Sequence, residues 1–156
     1  MVTRTRLTAL AALVVLGIGA PASAQMQMMT MGVRGGVSAD PKQVSVGFQM
    51  ESTGLPPHPS LTFRPNVEVG FGSGTTLVST NLDFVFTVQL SETWQGYFGG
   101  GPAVVYAHDG GNSLFGSYDG LVGFAHRSGL FVELKHTHGS DPGLRASVGF
   151  VFSRKK

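Results

Sequence analysis

The sequence has 156 residues, enough for one domain. It contains no cysteine, which excludes disulfides and thiolate metal sites, and charged residues make up only 13% of it. The formal net charge of +2 comes from Arg4 and Arg6, because from residue 25 onward nine basic residues balance nine acidic ones. A basic surface for binding nucleic acid is therefore not expected.

Residues 1–24 have the order of a secretory signal peptide. A short basic start precedes an apolar run from Leu7 to Ile18, and Ala22-Ser23-Ala24 supplies the small residues of a cleavage site. The apolar run is shorter than the ~20 residues that a membrane-spanning helix needs. We therefore predict export through a signal peptide cleaved before Gln25, followed by one domain over residues 25–156.

The rest of the chain alternates between apolar and polar residues with a period of two, and helical periodicity is not convincing anywhere. Clusters of Gly, Pro, Asn, Asp and Ser separate the alternating segments, which is typical of an all-β meander. We predict eight strands: Met29–Ser38, Gln43–Glu51, Leu61–Phe71, Thr76–Gln89, Thr93–Ala107, Leu114–Ala125, Leu130–Thr137 and Leu144–Ser153.

The alternation gives most of the strands one apolar face. It is clearest in the last segment, where Leu144, Val148 and Phe150 share one face and Arg145 and Ser147 share the other. The first four segments show the same division. The fifth and sixth segments are rich in glycine and do not reveal their faces.

The length of the strands and the charges on their polar faces favour a membrane barrel with the apolar faces outward. Strands of about 9 to 14 residues exceed the ~5–6 typical of globular sheets and match the ~9–11 that cross a bilayer at a tilt. The interior of an eight-stranded barrel is only wide enough for side chains, so inward charges must pair. The predicted lumenal charge network is Arg34, Glu51, Arg64, Glu68, Asp83, Glu133, Lys135 and Arg145.

Period two is also compatible with a soluble barrel whose apolar faces point inward. In that alternative, the chain is a lipocalin-like periplasmic carrier. A ligand cavity would then be lined by Phe84, Phe86, Phe150 and Phe152.

Four glycine- and aromatic-containing stretches carry a resemblance to a known family: Phe63–Gly72, Tyr97–Ala103, Gly129–Lys135 and Val148–Phe152. They resemble small bacterial outer-membrane β-barrel proteins of the OmpA/OmpX-like, porin-like kind. The resemblance implies an eight-stranded antiparallel up-and-down transmembrane barrel in the bacterial outer membrane. It also implies contact with outer-membrane lipid and insertion by the barrel-assembly machinery. We expect a monomer without a cofactor, with a non-enzymatic structural or surface-interaction role in the envelope.

An enzymatic alternative comes from His126-Arg127-Ser128, which resembles the His-x-Ser arrangement of outer-membrane lipid A deacylases, with Glu133 as a possible third member. If the N-terminus is periplasmic, the turn between the sixth and seventh strands also faces the periplasm. A deacylase of outer-leaflet lipid needs the opposite end of the barrel. We therefore interpret His126 and Ser128 as a polar turn, predict no catalytic residues, and retain the deacylase as the alternative function.

Histidines near one rim are candidate metal ligands. His136 and His138 share a strand face, and His108, Asp109 and Asp141 are expected at the same rim. Imidazole with carboxylate suits zinc or copper, but the spacing does not define a tetrahedron. No metal site is predicted.

Aromatic residues of the fifth strand lie near its two ends. Trp94, Tyr97 and Tyr106 are the residues concerned. We predict that they belong to the girdles that membrane barrels place at the two lipid–water interfaces.

Overall fold

The computed structural model describes residues 29–52, 54–72, 74–108, 110–139 and 143–152. These residues form eight antiparallel strands in sequence order, and β8 pairs with β1 to close the barrel. The strands are β1 Met29–Ala39, β2 Lys42–Ser52, β3 Leu61–Gly72, β4 Thr75–Gln89, β5 Trp94–His108, β6 Asn112–His126, β7 Leu130–His138 and β8 Leu144–Phe152. The all-β, eight-stranded up-and-down fold class is thus confirmed.

The predicted signal peptide, residues 1–24, lies outside the described residues. The predicted strands match the observed ones with shifts of one or two residues at some ends; for example, β6 begins at Asn112 rather than Leu114. Among the described residues, no helix is long and apolar enough to cross a membrane.

The barrel is apolar outside and polar inside. In β7 the buried side chains are Phe131, Glu133, Lys135 and Thr137, and the residues between them are exposed. The same alternation runs through the other strands. On the outward faces of the described strands, Lys42 at the start of β2 is the one lysine, arginine, aspartate or glutamate. This arrangement is typical of transmembrane β-barrels, in which lipid solvates the outward apolar faces and the lumen holds the polar ones.

The carrier alternative is wrong about which residues line the interior. Phe84, Phe86, Phe150 and Phe152 all lie on the outer surface, with 39–54% of each side chain exposed. Some of these rings pack against each other there, such as Phe150 and Phe152 at a centroid distance of 5.5 Å. The four rings therefore cannot line a ligand cavity inside the barrel.

The two ends of the barrel differ in their connections. We call the end where β1 begins and β8 ends the terminal mouth; it carries the connections 53–60, 90–93 and 127–129. The opposite end, the hairpin mouth, carries the connections 40–41, 73–74, 109–111 and 139–143. The longest connection, 53–60, is therefore at the terminal mouth, where Leu55 and His58 form an isolated β-bridge.

One hairpin projects beyond its neighbour at the hairpin mouth. β5 and β6 pair along their full length up to His108 and Asn112. β6 pairs with β7 only from Tyr118 onward. The first six residues of β6 therefore extend past the end of β7.

Glycines create room for aromatic rings in the lumen. A Cβ atom at Gly123 would overlap the Tyr97 ring, and one at Gly149 would overlap the Phe131 ring. Both glycines face inward, and each lies on the strand directly beside the one that carries the ring. An interior as narrow as that of an eight-stranded barrel accepts large side chains only opposite such small positions.

We predict that arginine at the middle of an outward face prevents stable insertion. Phe84→Arg or Val148→Arg should cost about 2–4 kcal/mol, because the charge enters the bilayer core. Met29→Arg, at the start of β1, is the matched control and should cost only about 0–1 kcal/mol. Urea unfolding of the barrel in lipid vesicles measures the difference. Equal unfolding midpoints for Phe84→Arg and Met29→Arg would contradict the outward assignment of Phe84, and the inward-facing Ser147→Ala should be mild.

Candidate functional site

The lumen is crossed by a chain of ion pairs. Glu51 Oε1 lies 2.5 Å from Arg64 Nε, and Arg64 in turn pairs with Glu133 at 3.1 Å. Glu133 also pairs with Arg34, whose Nε lies 3.3 Å from Glu68 Oε1. The last link joins Glu68 to Arg145 at 2.5 Å. Six charged side chains from five strands thus form one continuous path.

Glu133 is the residue at the centre of this path. Its side chain has 0% exposure, and its two oxygens contact Arg34 and Arg64 separately. The Tyr97 hydroxyl donates to Glu133 Oε2 at 3.2 Å. Because Arg34 and Arg64 come from β1 and β3, Glu133 on β7 connects opposite sides of the barrel wall.

Lys135 forms a second group of ion pairs. Its Nζ lies 2.6 Å from Asp83 Oδ2 and 3.3 Å from Asp119 Oδ2. Asn66 donates to Asp83 at 2.8 Å and accepts a hydrogen bond from Asn81 at 2.7 Å. Asp83 therefore has a cation and a neutral donor, which compensates its removal from water.

The structure places the eight predicted charged residues in these two groups and adds Asp119. Sequence analysis missed Asp119 because the faces of β6 were not apparent. Its signal was a single acidic residue in the middle of a strand. The described lumen therefore contains four cations and five carboxylates in seven ion pairs.

An apolar layer lies beside the charge network. It consists of Val85, Tyr97, Leu121 and Phe131, which are all buried. The prediction that Tyr97 belongs to an interfacial girdle is wrong, because its ring points into the lumen and is only 3% exposed. Arg64 lies over that ring, with its Cζ 4.6 Å from the centroid. The sequence did not show this because glycines on both sides of Tyr97 obscure the alternation.

The geometry explains why the lumen is closed. These charged side chains are nearly inaccessible to water, with exposures of 0–1% for Glu133, Asp83, Lys135 and Arg34. A buried ion that loses its partner is strongly destabilising, so each side chain is constrained to stay across the lumen. Within the described part of the chain, the arrangement bridges and fills the barrel and leaves no wide aqueous path through the network.

His126 and Ser128 do contact each other at the terminal mouth. His126 Nδ1 lies 2.9 Å from Ser128 Oγ and accepts the backbone N–H of Ser128 at 3.2 Å. The imidazole packs edge-on against Trp94 at a centroid distance of 4.9 Å. Glu133 is not a third member of this pair, because its carboxylate is bonded to Arg34, Arg64 and Tyr97 in the lumen. The His–Ser contact is of the local kind by which side chains close turns.

The histidine rim does not form a metal centre among the described residues. His136 and His138 lie on the outward face of β7. His108 bonds through Nδ1 to Asn112 Oδ1 at 2.7 Å. Asp109 and Asp141 lie outside the described residues. Within the described ranges, no group of three or more histidine or acidic side chains is arranged to hold a metal ion.

Comparisons with known proteins concern the fold. No protein-family model matches this sequence, and no curated protein matches it at a significant level. Among solved structures, the barrel is similar to Ail, the attachment invasion locus protein of Yersinia pestis, with a TM-score of 0.45 and 7% identity. The match covers 79% of this chain and 92% of that chain. The eight-stranded antiparallel barrel itself follows from the strand pairing.

We predict that removing the central carboxylate destabilises the barrel far more than removing a peripheral one. Glu133→Gln leaves Arg34 and Arg64 without their shared anion, and should cost about 3–5 kcal/mol of unfolding free energy. Asp119→Asn is a control inside the network and should cost less, because the lumen has one carboxylate more than it has cations. Glu92→Gln, on an exposed connection, should have no effect. Urea unfolding in micelles measures all three, and equal costs for Glu133→Gln and Asp119→Asn would contradict the central position of Glu133.

Proposed function

We propose that the chain is a non-enzymatic, small outer-membrane barrel with a closed, charge-paired lumen and a structural or surface-interaction role in the bacterial envelope. The observation that carries this proposal is the combination of an apolar outer surface with the ion-pair network centred on Glu133. The terminal mouth faces the periplasm in this proposal, and the hairpin mouth faces outward. Residues 1–24 act as the cleaved export signal, and the barrel-assembly machinery inserts the mature chain as a monomer.

A role as an open pore is disfavoured by the lumen. Eight strands enclose only enough space for side chains, and here those side chains are fixed by ion pairs. The outer surface instead offers contact with lipid through valine, leucine and phenylalanine side chains. These features support a protein that stabilises or decorates the membrane.

The surface-interaction role is supported by the β5–β6 hairpin. The segment of β6 before Tyr118 has no partner on the β7 side among the described residues. Leu114 and Phe115 in this segment are 53% and 45% exposed. An unpaired strand edge with apolar side chains is a surface on which another chain can add a strand.

The location is tested by fractionating cells that express the full-length chain. We expect the protein in the outer membrane, with electrophoretic mobility that changes on boiling in detergent, because a closed barrel keeps its fold until it is heated. A marker protein of the inner membrane and a soluble periplasmic protein serve as controls for the fractions. Recovery in the soluble periplasm would refute the membrane location.

The second candidate function is lipid A deacylation, and the His126–Ser128 contact of 2.9 Å is the observation that favours it. The proposed periplasmic position of this turn and the engagement of Glu133 elsewhere both disfavour it. We expect the acyl chains of lipid A, measured by mass spectrometry, to be the same in cells with the protein, without it, and with Ser128→Ala. Loss of an acyl chain that requires Ser128 would establish the enzyme instead.

A further inference from the structure

The two mouths of the barrel are filled to very different extents. Near the hairpin mouth, the lumen has a cavity of about 10 Å³ between Ser45, Glu68 and Arg145, which is room for a single water molecule. At the terminal mouth there is an open cup with a volume of about 650 Å³. Sites for small molecules typically measure about 300–1,000 Å³. The cup therefore has the size of a ligand site.

Every strand of the barrel contributes to the cup. Its walls carry hydroxyl and amide side chains, including Thr30, Thr62, Thr87 and Gln95. Its floor includes the apolar layer, through Tyr97 and Phe131. Because both rings are only 3% exposed, a ligand would contact mainly the hydroxyls and amides of the walls. Such walls match a ligand that has many hydrogen-bonding groups on a compact ring.

The hydroxyls on the walls are available to a ligand. Among the described residues, the side-chain hydroxyls of Thr30, Thr62 and Thr87 make no hydrogen bond to another protein group, and all three residues are partly exposed. A hydroxyl both donates and accepts, as do the hydroxyls of a sugar. These threonines therefore differ from the lumenal polar residues, most of which bond to each other.

Among the described residues, the formal charges of the cup balance, which disfavours an ionic ligand. Glu51 is neutralised by Arg64 at 2.5 Å, and the described part of the rim has one acid, Glu92, and one base, Arg127. A phosphate or carboxylate ligand favours a site with an excess of cations, and a cationic ligand favours one with an excess of carboxylates. Recognition in this cup must come mainly from neutral hydrogen bonds.

A peptide is a poorer fit than a sugar. Extended peptides gain most of their affinity by pairing with an open strand edge. Most strands around the cup are paired on both sides, including β1 with β8. The β2–β3 seam is the exception, because its pairing ends at Gln49 and Asn66. The Phe63 N–H there donates to Ser52 Oγ, so the seam offers a peptide only a short edge. We propose that the terminal mouth binds an uncharged saccharide. The saccharide class follows from the cup alone. The further proposal that the saccharide comes from the cell wall rests also on the proposed periplasmic position of this mouth.

The test uses protein purified from cells expressing the full-length chain, in a phosphocholine detergent whose head group is not a sugar. The probes are a trimer of N-acetylglucosamine, the glucose trimer maltotriose, and the tripeptide Ala-Glu-Lys. Amide chemical shifts in NMR report both the affinity and the position of binding. We expect the N-acetylglucosamine trimer to bind with a Kd of about 1 mM and to shift the resonances of Thr62, Thr87 and Gln95.

The variants make the test specific for the cup. The double variant Thr62→Val and Thr87→Val keeps the shape of both side chains and removes two hydroxyls, so the Kd should rise about tenfold. Thr80→Val, on the outward face of β4, is the matched control and should leave the Kd unchanged. The dispersion of the NMR spectrum shows whether each variant is folded.

Each outcome decides the proposal. Equal binding of both trisaccharides would support the saccharide class and remove the cell wall as the particular source. No shift at about 10 mM sugar, or binding that the double variant does not weaken, would overturn the proposal. Tighter binding of the tripeptide would replace the saccharide with a peptide ligand. These results do not depend on the membrane in which the protein resides, so they are separate from the fractionation result.

Discussion

The pairing of Glu133 with Arg34 and Arg64 is the interaction on which the rest of the lumen depends. The lumenal face of the barrel wall is removed from bulk water by packed side chains. A charge inside must therefore find its partner inside. Because Glu133 has two partners on other strands, it connects the chain of ion pairs from Glu51 to Arg145. The barrel is held together across its interior as well as around its circumference.

The narrow interior imposes a second constraint. Long charged side chains and aromatic rings fit only where the facing residue is small, as at Gly123 and Gly149. The glycine content that first indicated turns and loops is therefore also a requirement of lumenal packing. The same packing ends before the terminal mouth, where the walls become hydroxyl-bearing and the cup opens. The packed side chains close the middle of the lumen, and the proposed binding site lies beyond them at the terminal mouth.

Much of the fold could be predicted because alternation depends only on local chemistry. A strand directs successive side chains to opposite faces. The inward position of Arg145 and the outward position of Val148 can therefore be predicted without knowing which strands lie beside β8. The alternation cannot be recognised in β5 and β6, because their many glycines have no side chain to indicate a face. Tyr97 was therefore assigned to the membrane interface instead of the lumen, and Asp119 was not recognised as a lumenal acid. In both cases only the pairing of neighbouring strands decides the direction.

The sequence by itself determined the number of strands, the apolar belt and the charges that face inward, because these follow from a period of two and from the cost of charge in lipid. Only the tertiary structure decided which charges meet. Glu133 and Arg34 are 99 positions apart in the chain, and their contact depends on the closure of β8 onto β1 and on the register of every strand between them. The cup also depends on the tertiary structure, because all eight strands contribute to its lining and no single segment contains it.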